Sequence, residues 1–590
     1  MKNKYYLLIF LPLIVCIQEN PEINYDAQIE FKEDHVIING DGIDYKGTNV
    51  NITSSGSFMI TGICNEGTVN IYSNSVNLYL QDLELSSSIS SPIFINKNLK
   101  NIKIISLNNV NISDYEKIDT TGGDCAAIKI RKNTTVSFYN HNDFYMKGTC
   151  KNVIKGASQV DLIFESSPGE YIIDAFHNGV ASEGLIIFKG GKFNITTEVG
   201  DGIQVKPDKN DTNSLGQIII EDGNFYIRSH GDAFQSRNRI EIKNGNFNIK
   251  TEEGFNSSIF DRETGNSKGF EVTNDKIGSE IIIYDGKFLL DTPDDSFNSE
   301  GNLTLINGEY TIFSGDDGIR ALDHIFIGEN YSSIGPNINI KYSKEGIEGN
   351  NLVIYSGTIN IQSKDDGINS SKKNKNSKIQ TNLKQKYENT ENLNSKTILS
   401  VYGGEIKIIY DSNGIDSNGD IELLGGEISL ISGENGINPI DISSTFKLSK
   451  TSLISIGKKG KKSLNELIKS NQKYAVYSDD ISKNKILRIE NEKKALIKDI
   501  SINGVINNIF YTSYELNENY TFYFYDSDGT NETKINFEFG NLKEEDDNNN
   551  KKDEDEKKGN FVKVFLISFF GAIALLIIIF FVVRAIKRNC

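Results

Sequence analysis

The sequence predicts an all-β solenoid, a right-handed parallel β-helix with coils of about 21 residues. Three observations predict it. A polar-polar-Gly-apolar step recurs at nearly fixed spacing: Gly179 to Gly202 is 23 residues, Gly346 to Gly367 is 21, and Gly414 to Gly436 is 22. Ala233 takes the glycine place 21 residues before Gly254, and Ser296 takes it 22 before Gly318. Between these corners lie stretches such as "IEIKNGNFNI" (240–249), "LTLINGEYTI" (303–312) and "IELLGGEISL" (421–430), in which apolar residues alternate on both sides of a Gly-containing turn. Period-two alternation bounded by Gly reads as strand–turn–strand, and a helical period of about 3.6 is missing from these stretches. One coil cannot bury its apolar face alone, whereas stacked coils, rising by about 4.8 Å each, bury a continuous core. The right hand follows from the general crossover rule.

The elements follow in order. Residues 1–16, "MKNKYYLLIFLPLIVC", read as a signal peptide, too short to span a bilayer. Residues 25–120 are β-rich without the clean repeat and are expected to include the N-terminal cap. Residues 121–445 hold the repeats. Residues 471–526 are expected to form a small β unit that closes the other end. Residues 541–560, "NLKEEDDNNNKKDEDEKKGN", lack apolar content and read as a solvated tether. Residues 564–583 are apolar throughout, as a single membrane helix requires. Arg584, Lys587 and Arg588 in the tail 584–590 place that end in the cytoplasm. The expected topology is therefore a single-pass, type I surface protein with its N-terminal region outside the cell.

Composition narrows the function. The chain has 590 residues and a net charge of -17, which disfavours sequence-independent nucleic-acid binding. The exported cysteines Cys64, Cys125 and Cys150 permit one internal disulfide at most, so the fold must rest on its core. Sequons, including those at Asn51, Asn111, Asn133, Asn194, Asn302 and Asn519, fit an exported glycoprotein. No zinc-type Cys/His spacing, phosphate-binding Gly loop or Ser-His-Asp motif is recognisable.

The ordered combination of "FMITGICNEGTVNIYSNSVNLYLQDLEL" (58–85), Asp-Gly-Ile corners with "GG" strands, and "KYAVYSDDISKNKILRIENEK" (473–493) resembles the secreted carbohydrate-binding β-helix family, related in fold to pectate and other polysaccharide lyases. The resemblance runs from about residue 25 to about 530. It implies calcium binding and polysaccharide recognition, with acidic plant cell-wall polymers as ligands. The membrane helix, the insert after residue 370 and the corners without aspartate depart from the family pattern.

The corners provide an internal control: "HNGV", "GDGI", "GDAF", "EEGF", "DDSF", "DDGI", "KEGI", "DDGI", "SNGI" and "ENGI". The small and the apolar residue persist, so they belong to the fold, with Gly permitting a left-handed corner. The aspartates vary. Any one of them reads as a turn cap, but Asp201, Asp232, Asp294, Asp295, Asp316, Asp317, Asp365 and Asp366 would form a column in stacked coils. Two carboxylates about 5 Å apart repel by roughly 3 kcal/mol at an effective dielectric near 20, which favours a bound cation. All-oxygen ligands suit calcium.

A second column lies two residues past the glycine place: Gln204, Gln235, Asn256, Asn298, Arg320, Glu348, Asn369, Asp416 and Asn438. Its amides are expected to stack as ladders. Arg320 and Glu348 break it. Either they pair with each other, or they form a carbohydrate-binding site in which Arg320 meets a uronate. Insertions at 206–215, 258–278 and 371–395 each follow a corner and are expected on one side, and the third is lysine-rich. With 0 Trp, an aromatic sugar platform must use residues such as Phe260, Phe270 or Tyr387. The alternatives to a binder are a calcium-dependent lyase acting by β-elimination and a non-enzymatic adhesin.

Overall fold

The computed structural model describes residues 24–543, apart from 115–124, 209–210, 212, 259–265, 275–277, 330–333, 372–396, 459, 461–462, 482–484, 503–505, 527 and 529. The expected signal peptide, membrane helix and tail, most of the tether and nearly all of the lysine-rich insert lie outside these residues, as do Phe260 and Tyr387. Among the described residues, no helix is long and apolar enough to cross a membrane.

The described chain is nearly all β. Forty-five strands join one large, mainly parallel sheet, a separate sheet has 4, and Leu464–Leu467 makes a single helical turn. One coil shows the plan. Phe297–Ser299, Asn302–Leu305 and Glu309–Ser314 follow one another along the chain. None of the three pairs with its neighbour in this coil. Phe297 pairs in parallel with Phe270 before it and Ile319 after it, Leu303 with Ile281 and Ile325, and Tyr310 with Phe288 and Ile338. Each strand thus meets its counterpart one coil on, and the rest of the coil is the crossover that parallel pairing needs.

Strand alternation turns every second residue inward, and parallel register puts like residues above like. Phe193, Phe225, Phe247, Phe288 and Tyr310 stack with successive centroid separations of 4.9, 5.1, 4.7 and 4.8 Å. A second stack, Phe234, Phe270 and Phe297, runs beside it at 4.9 and 5.1 Å. Phe270 is therefore a core residue, 0% exposed, and not a sugar platform. Each such aromatic pair adds about 0.5–1.5 kcal/mol beyond area burial.

The two kinds of glycine corner do different work. Left-handed φ belongs to the strand–turn–strand glycines, including Gly223, Gly245, Gly286 and Gly308 at 147, 143, 136 and 114°. The Asp-Gly-Ile glycines are not left-handed, contrary to the sequence expectation. A Cβ on Gly346 would lie 2.3 Å from the Gly367 carbonyl oxygen and 2.5 Å from Ile361 Cγ2. Close approach of the next coil excludes a side chain there.

Several boundaries shift. Coiling begins well before residue 121: Gly56–Cys64, Val76–Ser87 and Ile102–Asp114 already pair in parallel. The cap is confined to antiparallel pairs formed by Ala27–Phe31 with Val36–Gly40 and by Ile43–Lys46 with Asn49–Ile52. At the other end Asn508–Ser513 meets Ser452–Gly457 antiparallel, which ends the stack. The closing unit has its own core and runs past 526, because Glu538–Asn541 pairs with Lys473–Tyr477.

Two corners differ from the sequence expectation. Phe234 pairs with Phe270, so "KGF" at 268–270, and not "EEGF", continues the column, and Glu271 replaces Asn256 after Gln235. Ile415 pairs with Ile440 and Asp416 with Asp441, so Asp441 replaces Asn438. Strand Phe270–Val272 also splits the insertion 258–278: residues 258–269 precede this short strand, while 273–278 follow it, as 206–215 and 371–395 follow its counterparts. Cys125 and Cys150 form a disulfide, and Cys64 is a buried thiol. None of the six sequon asparagines named above is buried, whereas Asn369, in the further sequon Asn369-Ser370-Ser371, is.

Candidate metal centre

The residue before each small corner residue has a fixed place. Backbone N–H groups of Gly179, Gly202, Ala233, Gly269, Ser296, Gly318, Gly346 and Gly367 donate to the carbonyls of Asp201, Asp232, Lys268, Asp295, Asp317, Glu345, Asp366 and Asn413, respectively. These acceptors form one column across successive coils. Asp201, Asp232, Asp295, Asp317 and Asp366 occupy it and are buried. Asp294, Asp316 and Asp365 stand one residue earlier and are half-buried. Each Asp-Asp pair therefore supplies one inner and one outer carboxylate.

The inner carboxylates cap the fold. Oδ1 of Asp201 accepts the Asp232 N–H at 2.8 Å, Asp232 accepts that of Lys268 at 2.8 Å, Asp295 that of Asp317 at 3.1 Å, and Asp366 that of Asn413 at 3.0 Å. The second oxygen depends on the adjacent column. Gln204 Nε2 donates to Asp201, and Gln235 Nε2 donates to Asp232 at 2.7 Å. Gln204 also donates to Gln235 at 3.1 Å, which gives the expected amide ladder. Burial pushes Asp201 up to about 6 against its N–H and amide donors. Asp232 is raised by burial, then by Glu271 and Asp201.

Charge replaces the amides in the middle coils. Two groups of carboxylates each bring ligand oxygens within 4.8 Å of one another: Asp294, Asp295 and Asp316, and Asp317, Glu345 and Glu348. Lys268 Nζ lies 2.7 Å from Asp294, and Lys344 Nζ lies 3.1 Å from Asp316. Arg320 donates from Nη1 to Asn298 at 2.6 Å and from Nε to Glu348 at 3.3 Å, with Asp317 at 3.8 Å. Arg320 and Glu348 thus pair with each other. The Glu348 side chain is 2% exposed and lies beneath Arg320, which is 18% exposed, so only Arg320 reaches toward solvent. Burial and the neighbouring Asp294 push Asp295 up to about 7. Asp317 is raised by burial, Asp295 and Glu348. Burial works against the charge on Arg320, yet Asp295, Glu348 and Asp317 outweigh it and raise its pKa.

The donor chemistry fits a hard divalent cation. Both groups offer oxygen alone, and oxygens held about 2.3–2.6 Å from one calcium ion lie within about 5 Å of each other. In the inner group, Oδ1 of Asp317 is buried with no hydrogen-bond partner, which is costly unless a cation or donor meets it. Of the eight aspartates singled out, the structure gathers Asp294, Asp295, Asp316 and Asp317. Asp201, Asp232, Asp365 and Asp366 share their columns but lie outside both groups. Sequence reasoning missed Glu345, whose "KEGI" corner fits the column although it is not aspartate. It also missed Lys268 and Glu271, which the misplaced "EEGF" corner hid. His177 and His230 join neither group; His230 Nδ1 pairs with Glu252.

Residues 46–318 match the family model for a carbohydrate-binding domain-containing protein. The match agrees with the resemblance read from the sequence and is shorter than its span. It includes Asp294, Asp295, Asp316 and Asp317, and it ends before Glu345 and Glu348. No curated protein matches the chain. Among solved structures, the polysaccharide lyase-like protein from C. thermocellum, in a gadolinium derivative, is similar at 23% identity, with a TM-score of 0.34 over 44% of this chain and 96% of that one.

Proposed function

We propose that the chain is a cell-surface polysaccharide-binding protein, a right-handed parallel β-helix that engages acidic glycan with the help of calcium. The family-model match over residues 46–318 carries the carbohydrate reading. The two carboxylate groups support the metal. The buried group at Asp317, Glu345 and Glu348 suits a structural ion. The group at Asp294, Asp295 and Asp316 reaches the surface through two half-buried members, so an ion there keeps coordination sites that a uronate carboxylate can fill. Arg320 supplies a fixed positive charge beside it. Binding is favoured over β-elimination, because Arg320 is ion-paired and its raised pKa holds its proton, the opposite of what a general base needs. Residues 1–16 and 564–583 would export and anchor the protein.

The test is retention of the full-length protein by immobilised polygalacturonate, with calcium and with chelator, while absorbance of unsaturated sugar ends is followed. Calcium-dependent retention without product is expected. Steady product formation would replace the binder with a lyase, and indifference to polygalacturonate both with calcium and with chelator would favour the adhesin.

A further inference from the structure

Each long strand of the solenoid begins at a glycine turn and finishes at the corner column, as Glu309–Ser314 does between Gly308 and Asp316. At about 3.3 Å per residue, the turn edge and the corner edge stand about 20 Å apart. The corner edge carries both carboxylate groups. The turn edge changes character in the C-terminal coils. Ile334, Tyr355 and Tyr402 each stand three residues before a long strand, Asn337–Ser343, Thr358–Ser363 and Glu405–Tyr410, and these strands pair in succession. Ile334 is 73% exposed, and the Tyr355 and Tyr402 rings stack at 5.5 Å.

Register brings exposed apolar residues of the closing unit to the same edge. Glu427, the first residue of its long strand, pairs with Ser452; Leu453 pairs with Thr512, and Lys473 with Ser513. Tyr514, which follows Ser513, is 72% exposed. The hairpin joining Lys485–Glu490 to Leu496–Ile502 turns over at this end too. Glu490 pairs with Leu496 and Thr521, and Lys498 Nζ reaches Glu427 at 3.3 Å. Lys493, Lys494, Leu496 and Ile497 are all exposed on this hairpin. Single exposed apolar residues are ordinary on any surface. Here they gather on one edge beside tyrosines and lysines, a composition that suits the interface between water and lipid.

The course of the chain selects the partner. Asn541 pairs with Lys473, and Lys543 bridges to Lys469, so the described residues end at this edge. Residues 544–563 separate them from the apolar run 564–583, and fully extended they reach about 70 Å at most. A bilayer entered by that run lies within this reach of the turn edge, with the corner edge on the far side of the solenoid.

We propose that Ile334, Tyr355, Tyr402, Leu496, Ile497 and Tyr514 seat the turn edge in the headgroup layer of the bilayer that anchors the chain. The coil axis then lies along the membrane, and Asp294, Asp316 and Arg320 face away from it. The proposal rests on the anchor read at 564–583 and is independent of the glycan.

The chain has 0 Trp, so one introduced tryptophan reports its own surroundings. The test reconstitutes the full-length protein in phosphatidylcholine vesicles with and without brominated acyl chains. Native glycans are kept, because Asn519 of a sequon stands in the loop that follows Tyr514. Leu496→Trp and Tyr402→Trp are expected to emit further to the blue and to lose about half of their fluorescence to the bromines. Ile437→Trp replaces an exposed residue that follows the long strand Glu427–Ser432 on the corner edge, and it should not respond. Adding Ile497→Asp with Tyr514→Asp to Leu496→Trp should restore most of the lost fluorescence. Tyr402→Trp lies on the solenoid and reports independently should Leu496→Trp disturb the hairpin. Quenching of both probes no greater than that of Ile437→Trp overturns the proposal. So does a blue shift without quenching, which would mean that protein, such as a second copy of this chain, covers the edge. Release from the vesicles by alkaline carbonate removes the anchor and this proposal together, and leaves the polygalacturonate test untouched.

Discussion

The same corner column behaves differently at two places. Around Asp201 and Asp232 each carboxylate has a backbone N–H on one oxygen and a glutamine amide on the other. Around Asp295 and Asp317 only the Asp295 carboxylate keeps the N–H cap; Oδ1 of Asp317 has no hydrogen-bond partner, and the adjacent column changes to Arg320 and Glu348. An aspartate at a corner is therefore not in itself a metal ligand. What differs is whether a side chain reaches its second oxygen: Gln204 and Gln235 do so at Asp201 and Asp232, whereas Asn298, two past the glycine place of Asp295, donates to Glu271 instead.

The largest test of that contrast removes the fixed cation. Arg320→Met leaves Asp317 and Glu348 buried without its charge, and breaking a buried ion pair from one side costs about 3–5 kcal/mol. A large fall in Tm in chelator is expected, with much of it restored by calcium. Gln235→Met, in the amide-backed region, should fall less and show no calcium rescue. Equal rescue of both would erase the distinction.

A smaller effect is expected from calcium itself. A ligand at about 100 times its Kd stabilises the folded state by about 2.7 kcal/mol. Calcium should raise the Tm of the parent protein, and Asp316→Asn with Asp317→Asn should abolish most of the rise. Asp201→Asn with Asp232→Asn should keep it. Thermal melts with and without chelator decide, and no calcium shift in the parent sinks the metal centre.

These contrasts also mark how far the sequence could be read. Alternation in stretches such as 303–312 revealed strands whose inward residues do stack, because pleat and register depend on local pattern. The corner column was legible for the same reason. The choice between "EEGF" and "KGF" was not, since both present a glycine and a phenylalanine after polar residues and only pairing with Phe234 separates them. Glu345 is not legible from aspartate alone, because position in the column and not the aspartate side chain selects the group. The role of Gly346 depends on Gly367 and Ile361 one coil away, which spacing along the chain cannot reveal. The early start of coiling was hidden because the first coils lack the Asp-Gly-Ile step.

The smallest effect distinguishes the amide-backed region by its pH response. Asp201 is pushed from 3.8 up to about 6, chiefly by burial. Its folded form therefore holds a proton more tightly than the unfolded chain does. The stability this contributes is fully present below about pH 4 and is lost as pH rises through about 6, a change on the order of 2–3 kcal/mol. Asp201→Asn keeps an oxygen for the Asp232 N–H but cannot ionise, so it should remove most of this decline. Urea denaturation between pH 4 and 7.5, in chelator, reads the difference directly. A parallel pH profile for parent and Asp201→Asn would mean that the amide of Gln204 already neutralises the cost of the buried charge, and the contrast with Asp295 would then rest on Arg320 and Glu348 alone.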